Sequence, residues 1–140
     1  MLKKIFLILI TGFAVIGLAN ADFNLDVDDD GKTEALTDGL LVIRYLFGFS
    51  DDALVAGATS SNASRSSPAE IAAFLKNNES KLDIDNNGSV TALTDGLLVI
   101  RHLFGFSGGA LTSGAISENA DRGDAQEITA YFATIVDSDN

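Results

Sequence analysis

Two short stretches concentrate the residues able to do chemistry. Asp26, Asp28 and Asp30 alternate along the chain and lead into Gly31; Asp83, Asp85 and Asn87 alternate in the same way before Gly88. Alternate residues of a tight loop turn their side chains inward, and a glycine in sixth place lets the chain bend sharply. Calcium is a hard cation that takes about six to eight oxygens, so each loop predicts one calcium ion. The seventh residue offers its backbone carbonyl, which makes Lys32 and Ser89 candidate ligands whatever their side chains. A last carboxylate must close the sphere from the start of the following helix. A loop of standard length would place it at Thr37 and Thr94, but the acids come one residue later, at Asp38 and Asp95. Each loop is therefore read as one residue longer than standard and closed by that aspartate. The candidate ligands are Asp26, Asp28, Asp30, Lys32 and Asp38 for one ion, and Asp83, Asp85, Asn87, Ser89 and Asp95 for the other. Glu34 and Thr91, in ninth place, can contribute through water. Magnesium suits such loops less, because it demands a tighter octahedron and keeps its waters. The amide of Asn87, where the first loop has a carboxylate, predicts a weaker second site.

The elements that position these loops are duplicated. Asp26 to Ser50 returns as Asp83 to Ser107, with roughly 18 of 25 aligned positions identical at an offset of ~57 residues. A looser match continues beyond: Asn62-Ala63-x-Arg65 with Asn119-Ala120-x-Arg122, and Glu70-Ile71 with Glu127-Ile128. Each unit reads as loop, helix, connector, helix. The first helix is expected over Thr37–Phe47 and Thr94–Phe104, with the threonine as N-cap, Asp38 or Asp95 in the first turn, and Gly48 or Gly105 as the stop. Leu40, Leu41, Ile43, Leu46 and Phe47 form an apolar face too wide for a lone surface helix, and the equivalent helix of the other unit is its natural partner. Asp51 to Ala56 fits one short helical turn. Ser67-Pro68-Ala69-Glu70 and Asp124-Ala125-Gln126-Glu127 are capping boxes that start the last helices. Ile71, Phe74, Leu75, Ile128, Tyr131, Phe132 and Ile135 are assigned to the core. The expected fold is all-α, two tandem units of this kind.

Composition narrows the function. The 140 residues carry 20 acidic and 9 basic side chains, a net charge of −11. Residues 1–21 read as a cleaved signal peptide: Lys3 and Lys4, an apolar run from Ile5 to Leu18, then Ala19-Asn20-Ala21. Cleavage would leave a chain from Asp22 with a charge of about −13, which repels nucleic acid and anionic membranes and attracts cations. There is no cysteine, so metal is the staple left to a small secreted fold. The units then span 22–78 and 79–140, outside the cell or in the periplasm. His102, the single histidine, aligns with Tyr45 and is assigned to packing or surface. No serine stands beside a base and no enzyme is expected. Arg44 and Arg101 are expected to neutralise nearby acids, or to belong to a partner surface. Phe47, Phe49, Phe104 and Phe106 are expected in the core; exposure would mark them for docking.

The paired D-x-[DN]-x-[DN]-G loops, each followed by a helix of Leu-Leu-x-x-Arg-Tyr-Leu spacing, resemble EF-hand-like calcium loops and, as a secreted pair, type I dockerins. The match runs over Asp26–Phe47 and Asp83–Phe104. The resemblance implies two calcium-loaded units packed about a pseudo-twofold axis as one dockerin-like domain. It also implies docking onto a cohesin-like partner through the helices. The leading expectation is a calcium-stabilised protein–protein interaction module. The alternative is a structural subunit that self-associates into an extracellular filament or surface assembly.

Overall fold

The computed structural model describes residues 22–136; the expected signal peptide, 1–21, lies outside them. Among the described residues there are six α-helices and no strand. They are α1 (Leu40–Leu46), α2 (Asp51–Val55), α3 (Pro68–Asn77), α4 (Leu97–Leu103), α5 (Gly108–Thr112) and α6 (Ala125–Ile135). A 3₁₀ turn at Glu79–Leu82 leads from α3 into the second acidic loop. No helix among the described residues is long and apolar enough to cross a membrane.

The starts of α1 and α4 correct the expected caps. Each is preceded by a π-helical turn, Ala35–Gly39 and Ala92–Gly96, so Thr37 and Thr94 lie inside the helical segment. The residues in the cap position are Glu34 and Thr91, both extended and neither capping with its side chain. The cause is in the backbone: Gly39 donates to the Glu34 carbonyl and Gly96 to that of Thr91, each at 3.1 Å, five residues back. A π turn holds one residue more than an α turn. The extra residue that delays the closing aspartate is thus taken up within the first helical turn.

Other local signals act as their chemistry demands. Gly48 and Gly105 adopt φ of +90° and +91° and end the helices. The N–H groups of Phe49 and Phe106 then reach back to the Arg44 and Arg101 carbonyls, both at 3.0 Å. Both capping boxes close: Ser67 accepts from the Glu70 N–H and Asp124 from that of Glu127, while each glutamate accepts from the cap N–H. Arg44 and Arg101 have a role the sequence did not suggest. Arg44 donates to the Leu54 and Ala56 carbonyls at 3.1 and 2.9 Å, and Arg101 to those of Leu111 and Ser113 at 3.0 and 2.8 Å. Helices as short as α2 and α5 leave most of their carbonyls unpaired, and the guanidinium satisfies them.

One core joins both units. Leu41, Val42, Ile71 and Leu75 of the first unit are buried with Leu98, Val99, Ile128 and Phe132 of the second. Leu25 and Leu82, just before the acidic loops, and Val27 and Ile84, within them, are buried in the same core. The first loop is held to the far end of the chain, where the Leu25 N–H donates to the Ile135 carbonyl at 2.7 Å. His102 lies flat on Phe132, centroids 4.1 Å apart, and burial holds its pKa below the usual imidazole value. Phe74 and Tyr131, expected in the core, are partly buried and carry Arg65 and Arg122 stacked on their rings, both at 3.9 Å.

The contact between α1 and α4 is reciprocal. A Cβ on Gly39 would meet Ile100 Cγ1 at 3.3 Å and Leu103 Cδ1 at 3.4 Å; one on Gly96 would meet Ile43 Cγ1 at 3.1 Å and Leu46 Cδ1 at 3.4 Å. Glycine lets the two segments approach this closely. Gly96→Leu is expected to destabilise the protein by ~1–3 kcal/mol through overpacking, read as a lower urea midpoint in one cooperative transition. An unchanged midpoint would contradict the close contact.

The terminal phenylalanines depart from expectation. Phe47, Phe49, Phe104 and Phe106 are 47–54% exposed, and Leu36 and Leu93 are 64% exposed. Phe47 and Phe104 sit just past the last turn of α1 and α4. Packing that begins at the glycines places the start of one helix alongside the end of the other. Leu36 therefore lies at the end of the pair that carries Phe104 and Phe106, and Leu93 at the end that carries Phe47 and Phe49.

Candidate metal centres

Each acidic loop is a set of carboxylates held by backbone N–H groups. In the first, Asp26 accepts from the N–H of Asp30 through Oδ1 (3.1 Å) and of Gly31 through Oδ2 (2.9 Å). Asp83 does the same with Asn87 (3.1 Å) and Gly88 (2.9 Å). The turn requires left-handed backbone at Gly31 and Gly88, with φ of +92° and +89°. The closing aspartates tie the helix start back to the loop. Asp38 accepts from the N–H groups of Val27 (2.6 Å), Asp28 (3.3 Å) and Glu34 (2.8 Å). Asp95 accepts from Ile84 (2.7 Å), Asp85 (3.4 Å) and Thr91 (2.9 Å).

The result is two triads that can hold metal ions: Asp26, Asp28 and Asp38, and Asp83, Asp85 and Asp95. In each, one oxygen per residue lies within 4.8 Å of the others. Asp28, Asp38, Asp85 and Asp95 are fully buried. A buried carboxylate normally fills its lone pairs with donors. Asp28 Oδ1 and Asp85 Oδ1 have no hydrogen-bond partner. An unpartnered, solvent-excluded oxygen beside two further carboxylates is the donor set of a cation site, and the residues fit a divalent ion on that ground.

The electrostatics agree. Burial pushes the Asp38 carboxyl up to about 7, opposed in part by the N–H bonds from Glu34, Asp28 and Val27. Burial also raises Asp28 and Asp95, and the neighbouring acids add to it. Without a cation the buried negative charge is disfavoured.

The remaining predicted ligands stand beside the triads. Asp30 is half-buried and its Oδ1 accepts from the Lys32 N–H at 2.9 Å. Burial works to raise Asp30, but the Lys32 N–H and the Ser60 and Asp28 side chains outweigh it and hold the carboxyl below its usual value. Asn87 is placed alike, its Oδ1 accepting from the Ser89 N–H at 3.0 Å. Lys32 and Ser89 are exposed.

The connectors complete the sites, and sequence reasoning gave them no role. The Ser60 N–H donates to Asp28 Oδ2 at 2.7 Å, and the Ser117 N–H to Asp85 Oδ2 at 2.8 Å. The Arg65 guanidinium binds the Val27 carbonyl at 2.6 Å; that of Arg122 binds the Ile84 and Asp83 carbonyls at 2.7 and 2.8 Å. The backbone N–H groups of Arg65 and Arg122 donate to the Asp28 and Asp85 carbonyls at 2.9 and 3.0 Å. The recurrence of Arg65 and Arg122 at one offset was the available signal. The serine contacts to Asp28 and Asp85 are made by main chain and leave no side-chain signature.

No family model, curated protein or solved structure matches the chain.

Proposed function

We propose that this chain is a secreted calcium-binding protein, a protein–protein interaction module whose fold two calcium ions stabilise. The observation that carries the reading is the pair of unpartnered buried oxygens, Asp28 Oδ1 and Asp85 Oδ1, within aspartate triads. Calcium is the ion proposed over magnesium because Asp30 or Asn87 and the carbonyls of Lys32 and Ser89, the further ligands this reading assigns, would enlarge each triad. That set is larger and looser than an octahedron kept partly by water. The π turn supports the EF-hand-like, dockerin-like reading, since it brings a closing aspartate one residue late to the loop it must close. The reciprocal glycine contacts support a pseudo-twofold relation of the units. The binding constant of the first site is expected to exceed that of the second, because Asn87 replaces a carboxylate. Asp26→Ala is then expected to remove the tighter of two calorimetric phases and Asp83→Ala the weaker; the reverse assignment would contradict it.

The interaction role rests on the exposed apolar side chains. The two units have diverged at Lys32/Ser89, Glu34/Thr91 and Asp51-Asp52/Gly108-Gly109. The exposed Leu36/Leu93, Phe47/Phe104 and Phe49/Phe106 are identical pairs. Exposed large apolar groups mark contact surfaces. With so acidic a chain around them, they suit a partner that presents apolar groups within a basic rim. The presence of exposed apolar residues at both ends of the α1–α4 pair also favours a second reading, head-to-tail assembly of this chain. Sedimentation at high concentration separates the two, since a monomer in calcium excludes the filament. Circular dichroism and melting in calcium, then in EDTA, test the metal reading, and unchanged helicity and Tm would sink it.

A further inference from the structure

Asn87–Gly88 is the one asparagine–glycine step in the sequence, and it lies inside the second acidic loop. Such a step carries its own reaction. The glycine backbone nitrogen attacks the asparagine Cγ, ammonia leaves, and a five-membered succinimide forms. Water then opens either carbonyl, giving aspartate or its β-linked isomer. Glycine favours the reaction because no Cβ hinders the approach.

The loop ties each reacting group to another partner. The nitrogen that must attack, Gly88 N, donates to Asp83 Oδ2 at 2.9 Å. The Asn87 side chain is pinned by the Ser89 N–H on its Oδ1 at 3.0 Å, and the Asn87 N–H is held by Asp83 Oδ1 at 3.1 Å. Gly88 is fixed in left-handed backbone, φ +89°. Asp83 anchors the arrangement, and Asp83 belongs to the triad whose charges repel when no cation lies among them.

We propose that Asn87–Gly88 is a latent self-modification site, closed while the second loop is ordered and opened when its metal is lost. The second half of this statement rests on the calcium reading. The two products differ in effect. An aspartate at position 87 would give the second loop the carboxylate pattern of Asp26, Asp28 and Asp30. The β-linked isomer adds a backbone methylene between residues 87 and 88 and breaks the bond from Gly88 to Asp83. The modification is one-way, so it records past metal loss. The first loop is a built-in comparison: Asp30 precedes Gly31 there, and an ionised carboxylate is a far poorer electrophile.

The test is peptide mass spectrometry of the full chain kept in mildly alkaline buffer with calcium, with EDTA, or with EDTA and urea. The expected result is a mass gain from exchange of amide for acid at Asn87, at least about tenfold faster in EDTA than in calcium and fastest in urea. Asn87→Gln, which can form only a less favourable six-membered ring, should abolish it. Equal rates in calcium and in urea would overturn the proposal. So would equal rates in calcium and EDTA where direct titration of the same sample shows calcium bound, or a mass gain on that peptide that survives Asn87→Gln. If titration shows no calcium bound, the functional reading fails, and folded against urea-unfolded rates alone decide whether the loop holds the step closed.

Discussion

Asp38→Asn is expected to move stability in opposite directions with and without calcium. In EDTA at about pH 8 the variant should melt higher than the parent. The parent must keep a carboxylate charged in a fully buried site whose pKa stands at about 7. Asparagine has no charge to bury and still accepts the Val27 and Asp28 N–H groups through Oδ1. Its NH₂ cannot accept from Glu34, which offsets part of the gain, so the net effect is ~2 kcal/mol, or several degrees in Tm. In calcium the order reverses. The variant has lost a ligand, and at free calcium about 100-fold above the dissociation constant that site's ~2.7 kcal/mol of stabilisation goes with it. Equal calcium-induced shifts in parent and variant would show that Asp38 does not face the ion. Asp38→Ala is a different experiment, because it strands the N–H groups of Val27, Asp28 and Glu34 and lowers stability in both media.

In EDTA the parent itself should lose stability as the pH rises from about 4 to about 7.5. The Asp38 value in the folded chain, about 7, lies above the ordinary 3.8, so the folded state holds the proton more tightly than the unfolded one. Its favourable contribution is complete below pH ~4 and is lost as the pH climbs through about 7, some 4 kcal/mol in all. Asp28 and Asp95 are raised as well and act in the same direction. Calcium inverts the trend, because the ion competes with those protons and binds best once they have left. Urea unfolding across this range, in EDTA and in calcium, reads both slopes. Repeating the EDTA series at high sodium chloride separates the causes: salt screens the repulsion among surface acids but leaves the burial of Asp38 unchanged. A flat EDTA profile at both salt concentrations would contradict the burial argument.

Much of this was legible in the sequence, for identifiable reasons. Asp26, Asp28, Asp83 and Asp85 are evident because alternation and glycine impose a recognisable spacing. Asp38 and Asp95 were found by asking what must close the sphere. The caps at Ser67 and Asp124 follow from side-chain chemistry within four residues. What stayed hidden is main-chain or long-range. The π turns at Ala35 and Ala92 depend on a backbone bond from Gly39 or Gly96 that composition does not encode, so Thr37 and Thr94 looked like caps. Ser60 and Ser117 reach Asp28 and Asp85 through their N–H groups. Arg44 and Arg101 were visible as repeated residues, but the carbonyls they satisfy lie ten to twelve residues on. Phe47 and Phe49 read as core residues because hydrophobicity alone does not say whether a residue at a helix end meets a neighbour or solvent.

The reciprocal packing of Gly39 and Gly96 has a consequence for how such a chain can evolve. Each first helix carries both halves of the contact, a glycine hollow and an isoleucine–leucine knob. A single unit is therefore self-complementary and has the surface to pair with a twin. Joining two units in one polypeptide fixes their ratio at one to one and frees them from being identical. A homodimer of one unit would carry the same loop twice, and any change would strike both. The covalent pair can keep Asp30 in one loop and Asn87 in the other, and so vary one candidate metal site without touching its twin.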